Sequence, residues 1–383
     1  MTWFGFGFNA FGQINPADAP AGDSDCPQVK VAFPTEVNVP FRESEGERGE
    51  HDGVRLKASW SRVVTFSVKG DRQVCLSGFG VAGGHVPDSQ GCVDAQIGER
   101  YVTLRFSDRV ECWSCTDAQT TLACQRQQDP SGLSVSLPLV SEGYVASKPP
   151  LFRSLAPHLR AVSLALGTEH ALLLTADGTI YTWGRGSHGQ LGHGLLSPEE
   201  EPRALEALWG VPMSSVAAGG WHSACISAGG DLYVWGWNES GQLGLPSRGL
   251  KKDLTRAATD TTLPGGEDGK SSHGVFISIQ AFPALLDIPQ VSEICKVSCG
   301  SRHTAAVTGT GDLYTWGWGE YGQLGQGGTC SSDQAERVDF FSSRGLHVED
   351  VTCGQWNTFA FARPEPSCCS GSSQWKPDCS VCK

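Results

Sequence analysis

The sequence predicts an all-β protein: a closed propeller of small β-sheets. Three observations carry this. One stretch, Val297 to Gly325, is written again at Val216 to Gly244 and at Leu164 to Gly192. The two ends of the chain hold complementary halves of the same stretch. The 48 glycines and 21 prolines among 383 residues are spread along the chain, as a turn-dense β protein requires.

The clearest copy is V-S-C-G-S-R-H-T-A-A-V-T-G-T-G-D-L-Y-T-W-G-W-G-E-Y-G-Q-L-G. His303 to Thr308, small and β-branched, reads as a strand. Gly309 to Asp312 reads as a turn, and the aromatic-rich run Leu313 to Trp318 as a second strand. A Gly-bounded loop follows. His and Trp stand 13 residues apart in all three copies, as His170–Trp183, His222–Trp235 and His303–Trp316. The G-Q-L-G ends fall at 189–192, 241–244 and 322–325. A single hairpin is not stable alone. Small sheets with two apolar faces bury them by stacking radially until the ring closes.

The ends supply the closure. Phe6-Gly7-Phe8-Asn9-Ala10-Phe11-Gly12-Gln13-Ile14 aligns without a gap to Trp235 through Leu243. Val351 to Phe361, V-T-C-G-Q-W-N-T-F-A-F, is the missing first half and then stops. The N-terminal strand is therefore expected to complete the last sheet, which removes an exposed edge.

In chain order, 16–53 holds a Pro- and Asp-rich loop, a strand-like run from Val29 to Phe41, and a polar run read as a solvated loop. Lys57 to Gly80 is a looser copy, with Ser61 in the His place and Ser77-Gly78 in the Trp-Gly place. Residues 81–150 are degenerate. Within them Tyr101 to Cys115 reads as a hairpin turning at Ser107-Asp108. Pro149 to Leu155 reads as the lead-in to the next repeat. Six hairpin units are recognisable, and 81–150 has room for a seventh. A single domain is expected over 1–362, with a flexible insertion at 246–274 and a disordered Cys-rich tail over 363–383.

Composition excludes several function classes. A net charge of −12 with no block of Lys and Arg does not suit a phosphate-neutralising surface, so no direct nucleic-acid binding is expected. The N-terminus has neither a basic n-region nor a continuous apolar core, so it does not read as a secretory signal. No run of apolar residues is long enough to cross a bilayer. Fifteen cysteines without a secretory signal read as reduced thiols of the cytosol or nucleus.

Gly184 to Gly189 and Gly317 to Gly322 each fit G-x-G-x-x-G after a strand, but no amphipathic helix follows. The glycines read as turn residues rather than a dinucleotide site. His170, His222 and His303 hold the same place in different repeats. Radial symmetry keeps them apart, so each is expected to fix a turn by hydrogen bonds rather than to share a metal. Cys368, Cys369, Cys379 and Cys382 include one C-x2-C pair without a surrounding finger, and read as flexible thiols. No nucleophile elbow, H-E-x-x-H or Walker sequence is present. No catalytic residue, cofactor or metal is expected. His170, Trp183, His222, Trp235, His303 and Trp316 are read as structural repeat positions. The residue before the His place varies instead: Glu169, Trp221, Arg302, Trp356 and Trp60. Equivalent loops lie on one face of a propeller, and Trp with Arg is the composition of binding hot spots. This face is the expected partner surface. For any single Trp, packing between sheets is the competing reading.

The pattern V-x-x-G-x-x-H, then W-G and G-Q-L-G, resembles the repeat of the regulator of chromosome condensation family. The match is specific at 162–194, 216–244 and 297–325, good at the two end halves, fair at 57–80 and weak at 81–150. The resemblance implies a β-propeller, usually of seven blades. Phe4-Gly5-Phe6-Gly7-Phe8, Trp221-His222-Ser223 and W-G-W-N-E-S-G-Q-L at 235–243 are most similar to a small family member that partners a Jumonji-domain oxygenase. That implies a nuclear, chromosome-associated, non-catalytic adaptor that meets histones through its partner, with roles in histone lysine demethylation and chromosome segregation. The family also includes a guanine-nucleotide exchange factor for a nuclear small GTPase, so regulation of such a GTPase is the alternative. This chain departs from that member in lacking a basic N-terminal tail.

Overall fold

In the computed structural model the described residues are 1–14, 28–39, 53–68, 72–80, 84–86, 88–116, 120–128, 135–250 and 275–365. The insertion beyond residue 250, the polar run before Gly53, most of the loop after Ile14 and the four tail cysteines lie outside them.

Seven sheets follow one another along the chain. Blade 1 is Val54–Ala58, Arg62–Ser67, Val74–Gly78 and Gly84–His85. Blade 2 is Asp94–Ile97, Tyr101–Arg105, Arg109–Ser114 and Thr121–Gln127. Blade 3 is Leu139–Val140, Gly143–Val145 and Phe152–Ser154. Blade 4 is Ala161–Leu166, His170–Thr175, Ile180–Gly184 and Glu199–Ala204. Blade 5 is Met213–Ala218, His222–Ser227, Leu232–Trp237 and Ile279–Leu286. Blade 6 is Ile294–Cys299, His303–Thr308, Leu313–Gly317 and Ser332–Arg337. Blade 7 takes Leu346–Cys353 and Asn357–Pro364 from one end of the chain, and Thr2–Phe8 and Lys30–Glu36 from the other.

First strands pack on first strands from blade 4 through 5, 6, 7 and 1 to 2. The first strand of blade 3 reaches that of blade 4. Val110 and Cys112 of blade 2 share an apolar cluster with Val140, Val145 and Leu151, which joins blades 2 and 3. The ring thus closes. Second strands lie between neighbouring sheets and are covered on both faces. His170–Thr175, His222–Ser227 and His303–Thr308 are buried at every position, which explains why no charged side chain follows the histidine in any of them. Among the described residues no helix is long and apolar enough to cross a membrane.

The expected closure is present. Thr2–Phe8 runs antiparallel to Asn357–Pro364, from Thr2 opposite Ala362 to Gly7 opposite Asn357. Phe6 and Phe359, both fully buried, share a cluster with Leu56 and Val63 of blade 1 and Ala305 and Val307 of blade 6. Burying a Phe side chain contributes roughly 1.5–3 kcal/mol. Gly7 has φ +113, and a Cβ there would meet the Asn357 Cα at 2.7 Å, so the F-G-F sequence needs its glycine.

Two sequence expectations shift. The seventh sheet is blade 3, whose strands of two or three residues are too short to show periodicity. Phe152–Ser154, read as the lead-in to blade 4, pairs instead with Gly143–Val145. In blade 1 the His place belongs to Arg62, not Ser61. Arg62 sits opposite Gly78 as His222 sits opposite Gly236. Ser61, whose carbonyl accepts from Phe79 N, is therefore the counterpart of Trp221, and Trp60 stands one residue earlier.

Candidate interaction face

The face is set by what lies beneath it. His170 Nε2 of blade 4 is 2.9 Å from Ser223 Oγ of blade 5, and Ser223 donates to Gln190 O at 2.8 Å. Since that hydroxyl donates to the carbonyl, it accepts from the imidazole N–H. Trp235 Nε1 donates to the same carbonyl at 2.9 Å. Blades 5 and 6 repeat the arrangement: His222 Nε2 lies 2.9 Å from Thr304 Oγ1, and Thr304 and Trp316 both donate to Gln242 O. His303 meets Thr358 of blade 7 at 3.0 Å, and Thr358 donates to Gln323 O. Phe6 fills the Trp place of blade 7. Each imidazole therefore fastens the next blade, through a hydroxyl that in turn holds the carbonyl of a G-Q-L-G turn. Burial drives the His170 pKa down to about 4 and those of His222 and His303 to about 3, so all three rings are neutral. Trp183 packs edge-on against Tyr144 of blade 3, with centroids 5.9 Å apart.

In blade 1 the fastening group is cationic. The buried Arg62 donates from Nε to Phe79 O at 2.8 Å, and from Nη1 to Glu99 O of blade 2 at 2.8 Å. Nη2 reaches Cys115 O. A guanidinium thus satisfies three carbonyls where the other blades use one imidazole. Among the described residues no three His, Cys, Asp or Glu side chains converge as metal ligands.

Backbone hydrogen bonds then bring two loops of each blade to the same edge. Arg185 N donates to Glu169 O, Trp237 N to Trp221 O and Trp318 N to Arg302 O. Phe8 N donates to Trp356 O and Phe79 N to Ser61 O, all at 2.8–2.9 Å. The residue between Trp and the donor must be glycine. At Gly236, with φ +109, a Cβ would stand 2.6 Å from Trp221 O.

The result is an arc of half-buried side chains across blades 4, 5, 6, 7 and 1. It begins at Glu169, ion-paired to Arg185 at 3.2 Å. His188 lies 6.0 Å from Trp221 and 5.5 Å from Trp237, and the two Trp rings meet at 5.6 Å, nearly perpendicular. The Arg302 guanidinium sits 4.7 Å from the Trp237 ring centre. Trp318 contacts both Trp356 and Tyr321 at 5.0 Å. Phe8 lies 4.9 Å from Tyr321. Phe11 lies 5.3 Å from Trp60 and 4.9 Å from Phe79, which is 49% exposed.

All five residues singled out in the sequence thus lie along one arc, Trp60 by a route other than its alignment. Their ring contacts also cross blade boundaries, as from Trp356 to Trp318 and from Trp60 to Phe11, so these rings pack between sheets and present an edge to solvent. Sequence reasoning missed the second half of the arc. Its signal was available: the residue after Trp-Gly, or its equivalent, is Arg185, Trp237, Trp318, Phe8 and Phe79.

The repeat described as "Regulator of chromosome condensation (RCC1) repeat" matches residues 177–226, 229–307 and 310–361. A second profile of that description matches 161–190, 213–242 and 294–323. The chain is 43% identical over 390 residues to the Homo sapiens RCC1 domain-containing protein 1, covering 94% of this chain and 96% of that one. It is 32% identical over 226 residues to the Arabidopsis thaliana ultraviolet-B receptor UVR8, covering 53% of this chain and 51% of that one. Among solved structures, Prp20p from Saccharomyces cerevisiae superposes with a TM-score of 0.68 at 17% identity, covering 96% of this chain and 92% of that one. At that identity the likeness shows the fold.

Proposed function

The chain belongs to the regulator of chromosome condensation repeat family, and from that premise we propose that it is a non-catalytic interaction scaffold whose aromatic arc holds a protein partner. The observation that carries the reading is the arc itself. Five consecutive blades aim aromatic or charged side chains at one edge, on a ring whose blades are fastened by buried hydrogen bonds. Half-buried Trp, Tyr and Arg on a pre-organised surface lose little entropy on binding and supply most of an interface's energy.

The partner is a Jumonji-domain oxygenase acting on histones, and the site of action is the nucleus. The resemblance of the F-G-F-G-F start, the W-H-S stretch and the W-G-W-N-E-S-G-Q-L stretch supports this. The protein's part is to position and stabilise the enzyme. Affinity capture from nuclear extract at physiological salt, read by mass spectrometry, tests it. The wild-type chain recovers the oxygenase and Trp318→Ala does not. Recovery of no such oxygenase by the wild type overturns the assignment. A regulator of a small GTPase would instead accelerate release of a labelled guanine nucleotide, and none is expected.

A further inference from the structure

We infer that Arg302 reads a carboxylate: the arc takes an extended partner segment bearing an Asp or Glu, set between apolar side chains that lie on the flanking rings. This rests on the scaffold reading above and names the chemistry of the segment it holds.

Arg185 and Arg302 lie in the arc, Arg62 lies beneath it, and Arg100 of blade 2 stands beyond its end. Arg62 is buried, and its nitrogens are committed to carbonyl oxygens of Phe79, Glu99 and Cys115. Arg185 is ion-paired to Glu169. Arg302 has no carboxylate within ion-pair distance among the described residues, and its Nε is buried without a hydrogen-bond partner. Its guanidinium is held against Trp237 instead. A planar fork already fixed on an aromatic ring loses little freedom when a carboxylate docks, and can bind it through two parallel hydrogen bonds. The half-buried setting weakens solvent screening of that pair.

The position is central. Trp221 and Trp237 lie on one side. Trp318, whose backbone N–H donates to the Arg302 carbonyl, lies on the other with Trp356. Alternate side chains of an extended segment point the same way. An acid over Arg302 thus places its next same-side neighbours over the two Trp pairs. The net charge of −12 weighs against a polyacidic tract, which the whole chain repels. A single acid in an apolar context meets one local cation without that penalty.

The test selects binders from a random-peptide display library on the immobilised full chain. The selected peptides are then measured by fluorescence anisotropy against the wild type, Arg302→Ala, Arg302→Lys and Trp318→Ala. The expected peptides carry Asp or Glu flanked by aromatic or Leu residues. Arg302→Ala and an Asp→Asn peptide each weaken binding by about tenfold or more, the pair is non-additive, and Lys restores part of it. Selected peptides without an acid, or equal binding by Arg302→Ala, overturn the assignment of Arg302. If Trp318→Ala still abolishes binding in that case, the face survives as a partner surface. Binding insensitive to both variants, or no selected peptide, removes the face as well. A wild-type dimer that Arg302→Ala splits also overturns the inference, because a second copy then supplies the acid. Unchanged melting temperatures of the variants separate these outcomes from misfolding.

Discussion

Gln13 Nε2 donates to the carbonyl oxygen of Trp60 at 3.1 Å, so the arm that completes blade 7 also grips blade 1. The same amide's Oε1 accepts from Phe11 N at 3.0 Å, which shapes the loop that presents Phe11 to Trp60. Closure of the ring and the far end of the arc therefore share one side chain.

Phe6→Ala should be among the most destabilising single changes. The side chain is fully buried between three blades and stands where other blades place Trp. A large-to-small change at such a site costs about 3–5 kcal/mol. Thermal unfolding followed by far-ultraviolet circular dichroism should show a clearly lower midpoint than for the exposed control Phe33→Ala.

Thr304→Val removes the hydroxyl that accepts from His222 and donates to Gln242 O. In this shape-conserving change the buried His222 N–H loses its acceptor, while Gln242 O keeps the Trp316 donor. The cost should be about 1–3 kcal/mol for the one stranded group. Thr304→Ser should recover most of it. Chemical denaturation of the three proteins at neutral pH checks this.

The buried imidazoles predict acid sensitivity. Folded pKa values of about 4, 3 and 3 lie below the ordinary value near 6.5, so the unfolded chain takes up protons first. Stability is fully present above about pH 6.5 and falls as pH drops toward those folded values. At pH 5 each ring should cost on the order of 2 kcal/mol. Asp94, whose carboxyl burial holds above the usual carboxylate range, works in the opposite sense. Melting temperature from pH 8 to pH 5 should fall, and His222→Gln should flatten the decline while lowering the plateau.

Trp318→Ala should abolish partner capture at little cost in stability. Its ring is half-buried against Tyr321 and Trp356, whereas the neighbouring Trp316 is fully buried and hydrogen-bonded. Co-precipitation and a melting curve on the same preparation separate the two roles. Trp316→Ala should lose both together.

The difference between Trp316 and Trp318 also shows what the sequence could disclose. The repeated His-to-Trp spacing exposed blades 4, 5 and 6, and the F-G-F start with its counterpart at 351–361 exposed the closure. Blade 3 was hidden because strands of two or three residues carry no period. The His place of blade 1 was misassigned because Arg62 performs by reach what imidazole performs by position. At the site, a varying residue beside an invariant one was visible at Trp221 and Arg302. Trp237 and Trp318 stood just past Trp-Gly and read as strand ends. Only the backbone bond joining the two loops makes them one surface.

The split origin of blade 7 has a consequence for biosynthesis. A ribosome makes Thr2–Phe8 some 350 residues before Asn357–Pro364. Until then Thr2–Phe8 has only Lys30–Glu36 beside it, and the edge that Asn357–Pro364 will cover, with Trp3, Phe4 and Phe6, stays an open apolar ribbon that invites chaperones.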